Sequence, residues 1–357
     1  MNAMPNIIVP DAAPLTLVAD IADGEWAAFL AENAASPFHE LAWGRAISAA
    51  TGHRLHLLGV RDARGERVGI LPLHHVKSPL FGSALVSAGF AVGGGIVTAD
   101  PRAAAMLAEG AAALARSLGV GAIDLRGGPV PDAPGWTAKS DVYAGFVTDL
   151  AADDEAQLNA IPRKQRAEVR KALAGDLTVR TGAGAQDRAD HYAVYAQSVR
   201  NLGTPVFPRG LFDAVLDAFG DDADILTVYD GGRPVASVLS LYHGGVVMPY
   251  WGGGTADARQ SRANERMYYA LMLHARARGC TRFDFGRSKV GTGPYSYKKN
   301  WGFEPQPLTY GVWTADGAPP RDINPLSAKY RFQVAAWKRL PLPVANILGP
   351  WIAKGLG

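Results

Sequence analysis

One unit occurs twice along this chain, and that repetition limits the fold more than any other feature. In the first copy an apolar run closes on Gly93-Gly94-Gly95. A helical stretch follows, then Gly121-Ala122-Ile123-Asp124-Leu125-Arg126-Gly127. In the second, Pro249-Tyr250-Trp251 precedes Gly252-Gly253-Gly254. Again a helical stretch follows, then Cys280-Thr281-Arg282-Phe283-Asp284-Phe285-Gly286. The last glycine of the triplet lies 29 positions before the aspartate in one copy (124 − 95) and 30 in the other (284 − 254). Upstream, Gly59-Val60-Arg61-Asp62 parallels Thr227-Val228-Tyr229-Asp230, each followed by a glycine turn and a new apolar run. Chance similarity of two α/β stretches is the alternative, but a duplicated domain containing a strand–helix–strand passage accounts for all of these matches together.

A chain of 357 residues suits two such units. With 48% hydrophobic and 19% charged residues it can bury large cores and is not a disordered polymer. The formal net charge is +3, so any anionic partner must be met by a local patch. The lone Cys280 excludes an intramolecular disulfide, fits a reducing cytoplasm, and reads as a small core residue. No basic segment followed by an apolar core opens the chain, which predicts no secretory signal. Ser78 to Ala99 is 22 residues without a charge, long enough to cross a bilayer, but it holds Pro79, Gly82, Gly89 and the glycine triplet. It reads instead as buried strands joined by a glycine turn.

Residues 1–20 read as irregular and Gly24–Ala50 as helices broken at Ser36-Pro37. Leu55–Val60 and Val68–His74 read as strands about the turn Ala63-Arg64-Gly65. Pro101–Leu118 is an alanine-rich helix stopped by Gly119, leading into a strand at Ile123–Leu125. The second copy repeats the plan. Helices are expected at Ala189–Leu202 and Pro208–Phe219, and strands at Asp224–Tyr229, Pro234–Tyr242 and Val246–Trp251. A helix then runs to Arg278, and a strand covers Thr281–Phe285. The expected division is 1–150, 151–315 and a basic, aromatic tail over 316–357. In that tail Trp337-Lys338-Arg339-Leu340-Pro341-Leu342-Pro343 and Leu348-Gly349-Pro350-Trp351 suit either packing on the body or a membrane surface.

No HExxH or other metal-ligand spacing occurs among the eight histidines, and there is no G-x-S-x-G, Walker A or strand-linked G-x-G-x-x-G. The triple glycines read as tight turns or close backbone approaches. After the junction, Pro162-Arg163-Lys164-Gln165-Arg166-Ala167-Glu168-Val169-Arg170-Lys171 is a helix with five basic residues over 163–171. It is either a solvated face or a clamp for phosphates. The segment Gly293–Phe303 sets Tyr295, Tyr297, Trp301 and Phe303 around Lys298 and Lys299 just past a strand end, where α/β sites commonly lie. A lysine held among aromatic rings can bind phosphate, stabilise an oxyanion, or simply rest on a ring.

The paired repeats, the Arg-x-x-Val-Arg-Lys helix and the Tyr297-Lys298-Lys299-Asn300-Trp301-Gly302 element resemble the Fem family. These proteins are relatives of peptidoglycan-bridge aminoacyltransferases within the GNAT superfamily. The resemblance spans about residues 30–313 and looks closest to the FemAB-like branch associated with exosortase/PEP-CTERM exopolysaccharide systems. It implies an α/β chain of two tandem GNAT-like domains, each a mixed twisted sheet flanked by helices. It also implies transfer of an aminoacyl or acyl group to an amine on a cell-envelope or exopolysaccharide precursor. Lys298 falls on the family's motif lysine, and Asp284 is a candidate base or orienting group. Candidate substrate-binding residues are Arg163, Lys164, Arg166, Arg170, Lys171, Tyr250, Trp251, Arg287, Tyr295, Tyr297 and Lys299, with no metal.

The implied donor is aminoacyl-tRNA or acyl-CoA, with no tightly bound cofactor. The implied partner is an envelope-glycan or lipid-linked precursor met by a monomer, in the cytoplasm or at the inner face of the membrane. Two departures bear on this. There is no room for the helical-hairpin insertion that some relatives use for tRNA. Arg259-Gln260-Ser261-Arg262-Ala263-Asn264 also stands where GNAT enzymes carry a glycine-containing pyrophosphate loop. A CoA-dependent N-acyltransferase acting on a sugar, and a non-enzymatic scaffold of a polysaccharide-assembly system, are the alternatives.

Overall fold

The computed structural model describes residues 13–19, 21–33, 35–316 and 331–357. The reading of residues 1–20 as irregular thus lies largely outside the described residues, as do residues 317–330 of the expected tail. The first copy comprises β1 (Thr16–Val18), α1 (Asp23–Glu32), α2 (Leu41–Thr51), β2 (Arg54–Arg61), β3 (Arg67–Ser78), β4 (Gly82–Ser87), β5 (Val97–Thr98), α3 (Pro101–Ser117), β6 (Ala122–Arg126) and β7 (Trp136–Asp149). Two helices follow, α4 (Asp154–Ala160) and α5 (Arg163–Leu173). The second copy comprises β8 (Thr178–Gly182), α6 (Ala185–Leu202), α7 (Arg209–Phe219), β9 (Ala223–Asp230), β10 (Arg233–His243), β11 (Val246–Gly254), α8 (Ala258–Ser261), α9 (Ala263–Ala277), β12 (Arg282–Asp284), β13 (Ser288–Lys289), α10 (Gly293–Asn300) and β14 (Pro305–Thr314). The chain closes with α11 (Arg331–Trp337) and α12 (Leu342–Ala353). This is a mixed α/β architecture of two tandem units with the same strand–helix–strand plan.

The repeat is visible in the pairing. The antiparallel hairpin β2–β3 corresponds to β9–β10, and the parallel pair β4–β6, bridged by α3, corresponds to β11–β12, bridged by α9. The crossover helix forms for local reasons. The Asp100 side chain caps α3 by accepting from the Arg102 backbone N–H, and Pro101 opens the first turn. Gly119, at φ +64°, ends it. Its buried side is alanine with Leu107, which lets the helix lie close on β2 and β3.

The halves are not merely adjacent. β7, which ends the first copy, pairs with β12 of the second, while β14, which ends the second, pairs with β6 and β7 of the first. The strand order is therefore β1-β2-β3-β4-β6-β14-β7-β12-β11-β10-β9-β8 in one continuous sheet. An apolar core also crosses the junction. Trp43 and Phe38 of the first copy pack with Trp251, Phe212 and Leu239 of the second. Truncating a fully buried tryptophan such as Trp43 to alanine costs about 3–5 kcal/mol.

Two local expectations are corrected. First, the glycine triplets are not equivalent. Gly252–Gly254 lie inside β11, paired with Val238, Ser237 and Ala236. Gly93–Gly95 lie in an excursion instead. Leu73 pairs with Ser87 but Ile70 pairs with Val97, so two residues of β3 (71–72) face nine of its partner (88–96), a bulge of seven (9 − 2). Ala88 and Phe90 take positive φ within it. Second, Gly293–Asn300, read as a strand-end loop, is a helix. Thr292 enters it in extended conformation and Pro294 sits in its first turn, where the missing N–H costs nothing.

α12 packs on the body through Ala345, Gly349 and Ala353; Gly349 lies against Val206. Among the described residues no helix is long and apolar enough to cross a membrane.

Candidate active site

The site grows from the end of β12. Asp284 is the last residue of that strand, and its carboxylate accepts from the Gly286 backbone N–H at 2.8 Å. Gly286 turns at φ +70°, and the chain then re-enters the sheet as β13 beside β7. α10 lies over this turn and brings Lys298 down onto it. The lysine Nζ donates to the carbonyls of Gly286 at 3.1 Å and Arg287 at 2.9 Å. The rings of Phe146, from β7, and Phe285 each lie 5.4 Å from the ammonium.

An ammonium has three donors, and these two carbonyls use two of them. Burial lowers the Lys298 pKa to about 8, with the Asp284 charge opposing the shift. Burial likewise pushes the Asp284 carboxyl above its ordinary value, the Gly286 N–H opposing. The pair is therefore a lysine still mostly charged at neutral pH and a desolvated carboxyl.

Aromatic side chains wall the pair. Tyr295 stands edge-on to Phe146, and Tyr297, Tyr268, Trp301 and Phe303 surround Phe285. The Tyr297 hydroxyl donates to Glu265, in the first turn of α9, at 3.3 Å, and Gln165 of α5 reaches the same carboxyl at 3.5 Å. Burial raises the Glu265 pKa. The Arg287 guanidinium lies over Tyr143 at 4.5 Å and Tyr310 at 5.3 Å, and donates to the Tyr310 hydroxyl. That hydroxyl donates in turn to the carbonyl of Val92 in the first copy.

Lys298, Asp284, Arg287, Tyr295 and Tyr297 thus meet around one turn, and exposed Lys299 lies 6.0 Å from the Tyr295 ring. The basic helix α5 joins this group through Gln165 and, on its apolar side, through Val169 in the core cluster shared with Phe285 and Trp301, none of its basic residues taking part in those contacts. Arg166 bonds Asn159, Lys171 pairs with Glu168, and Glu168 pairs with Arg262; Arg163, Lys164 and Arg170 are exposed. Trp251 lies elsewhere, buried in the core between the copies. Tyr250 is half-buried at the edge of that core, its hydroxyl on the Phe90 carbonyl, and lies close enough to Arg287 and Tyr310 to interact with them electrostatically.

Sequence reasoning passed over Phe146, Tyr143 and Tyr310, which reach the site only because β7 and β14 exchange between halves. It also passed over Glu265, whose one local signal was its place in a helix's first turn.

β11 and β12 pair at Val246–Arg282 and Val247–Phe283, after which the pairing stops: β12 ends at Asp284 while β11 runs on to Gly254. Beside Gly254, through Asn264, stands the N-terminus of α9. Such a terminus attracts anions, but here Glu265 occupies the first turn and the Arg262–Glu168 pair stands beside it.

Residues 162–299 match the domain family described as Acetyltransferase (GNAT) domain. No curated protein matches the chain. Solved structures similar to it include FemX, with a TM-score of 0.64 at 16% identity, covering 84% of this chain and 98% of that one. A tandem GNAT protein from the clavulanic acid biosynthesis pathway superposes with a TM-score of 0.54 at 15% identity, covering 86% and 100%. The C-terminal domain of a putative lysylphosphatidylglycerol synthetase from Agrobacterium fabrum gives 0.53 at 11% identity, covering 81% and 90%. At these identities the likeness is one of fold. With the domain match, it makes this chain an enzyme that carries a GNAT-type acyltransferase domain over residues 162–299 within a tandem GNAT-like fold.

Proposed function

We propose that the second copy transfers an aminoacyl group from an ester donor to an amine on a cell-envelope or exopolysaccharide precursor, with Lys298 as the electrophilic group. The donor acyl chain lies beside β11, beyond its pairing with β12. The acceptor amine attacks the acyl carbon, and the carbonyl oxygen takes up negative charge that the third N–H of the Lys298 ammonium stabilises. Collapse breaks the bond from acyl carbon to leaving oxygen. The leaving alcohol takes up a proton and the amine nitrogen gives one up. Asp284 keeps the charged lysine in place. The observation that carries this reading is the buried ammonium pinned by two carbonyls just past the strand end where the pairing of β11 and β12 stops.

An ester donor, as on aminoacyl-tRNA, is preferred to acyl-CoA because Glu265 and Glu168 stand where a pyrophosphate would bind. The resemblance of residues 162–299 to acetyltransferase domains favours acyl-CoA as the second reading. Calorimetric titration with acetyl-CoA, beside a transfer assay with charged tRNA, separates them. Saturable micromolar binding of acetyl-CoA moves the donor to a thioester held at α9. No binding together with deacylation of charged tRNA supports the ester.

A further inference from the structure

We propose that α12 and the tip of the β3–β4 hairpin form a docking surface for a membrane leaflet containing anionic lipid. Most of the exposed large apolar side chains among the described residues lie on α11, α12 and the segments packed against them, with Leu17, Leu173 and Val290 elsewhere. Ile347 is 75% exposed and Trp351 60% on the outer side of α12, whose inner side is held by Ala345, Gly349 and Ala353. A second element adds to the same surface. Just beyond α12, Gly355 packs against Ser78 and Phe81 of the hairpin, whose tip presents Leu80 at 54% exposure. At the other end, Gly203 packs on Val334 and Lys338, next to Leu202, 66% exposed at the end of α6. Isolated exposed apolar residues are ordinary; several carried by elements that pack on one another mark an interaction surface.

Charge selects the occupant. From Phe332 to Gly357 the chain carries Lys338, Arg339 and Lys354 and no acidic residue. A second copy docking by the same face would set these cations against their own images. An anionic leaflet instead accepts both features, the indole and aliphatic side chains entering the headgroup boundary while the basic side chains meet the phosphates. At twelve residues α12 is too short to cross and is already packed on one side, so it lies flat. This surface is independent of which donor the site uses.

The test is sedimentation of the full chain with vesicles of phosphatidylcholine alone and of phosphatidylcholine containing phosphatidylglycerol. Binding is expected only to the anionic vesicles and is expected to weaken with added salt. Ile347→Glu with Trp351→Gln should abolish it. Lys338→Gln with Arg339→Gln, which changes charge alone on exposed side chains, should weaken it by about tenfold or more. Circular dichroism of each variant checks the fold. Equal binding to neutral vesicles, or none to either, overturns the proposal. So does a stable dimer by light scattering that Ile347→Glu dissolves, which would give the face to a second copy.

Discussion

The two copies meet the same problem at their parallel strands and answer it differently. In the first, β4 and β6 pair at Leu85–Ile123 and Val86–Asp124, and the excursion over residues 88–96 folds back along the end of β6. Gly95 donates its N–H to the Arg126 carbonyl, Ala91 accepts from the Arg126 guanidinium, and a Cβ on Gly95 would fall 1.8 Å from the Gly127 oxygen. In the second copy the carbonyl that matches Arg126, counting from the shared aspartate, belongs to Gly286. It accepts from the Lys298 side chain instead of from a backbone amide. One copy satisfies its strand end with its own backbone, packed too closely to admit a Cβ at Gly95. The other satisfies it with a titratable side chain. A duplicated fold can thus keep one half as scaffold and leave the chemistry to its twin.

The largest test of this contrast is Lys298→Ala. It should lower kcat/KM by about 10²–10³, the usual cost of losing one oxyanion donor, with the thermal midpoint retained. Undiminished turnover would remove the distinction between the copies. Because the charged form is the active one and its pKa is about 8, activity should fall as pH rises through that value. Lys298→Arg should move that limb out of range if the fork is accommodated. Stability has the opposite sign. The folded lysine releases its proton at about 8 and the unfolded one near 10.5, so stability should rise with pH between them.

Next in size is Gly95→Ala, expected to cost about 3 kcal/mol in denaturant unfolding because the new methyl meets backbone. Gly254→Ala should cost less, since it meets the side chains of Ala258 and Asn264 at 2.7 Å. Equal losses would mean the first copy's strand end is no more tightly closed than the second's.

A buried histidine in each half gives a third comparison. Burial holds His74 at about 4 and His191 at about 3, against an ordinary 6.5. Each stays neutral when folded and takes a proton when unfolded, so stability is lost as pH falls below 6.5, by about 1.4 kcal/mol per unit per histidine. A flat denaturation midpoint from about pH 7 to 5 would contradict the burial of both. The smallest effect should be Tyr310→Phe, which severs the bond from Arg287 through the hydroxyl to Val92 and should cost about 1 kcal/mol.

The sequence by itself determined what depends on neighbours along the chain. The helix over 101–117 was legible from a capping aspartate, a proline and a terminal glycine. The hairpins followed from alternating apolar runs around turns, and the twofold plan followed from their recurrence. Lys298, Asp284 and the aromatics beside them were legible because they lie close together along the chain, at the end of one strand and on the helix that follows it. Tertiary structure alone decided what depends on which edges meet. The exchange of β7 and β14 brings Phe146, from before the junction, to Lys298, and brings Tyr143 from before the junction and Tyr310 from after it to the neighbouring Arg287. Local periodicity states that a strand has two faces, not which strand it will pair with. The same holds for the glycine triplets. Alike as strings, one lies within a strand and the other in a bulge, because the bulge is set by a register across β3 that no stretch of either triplet records.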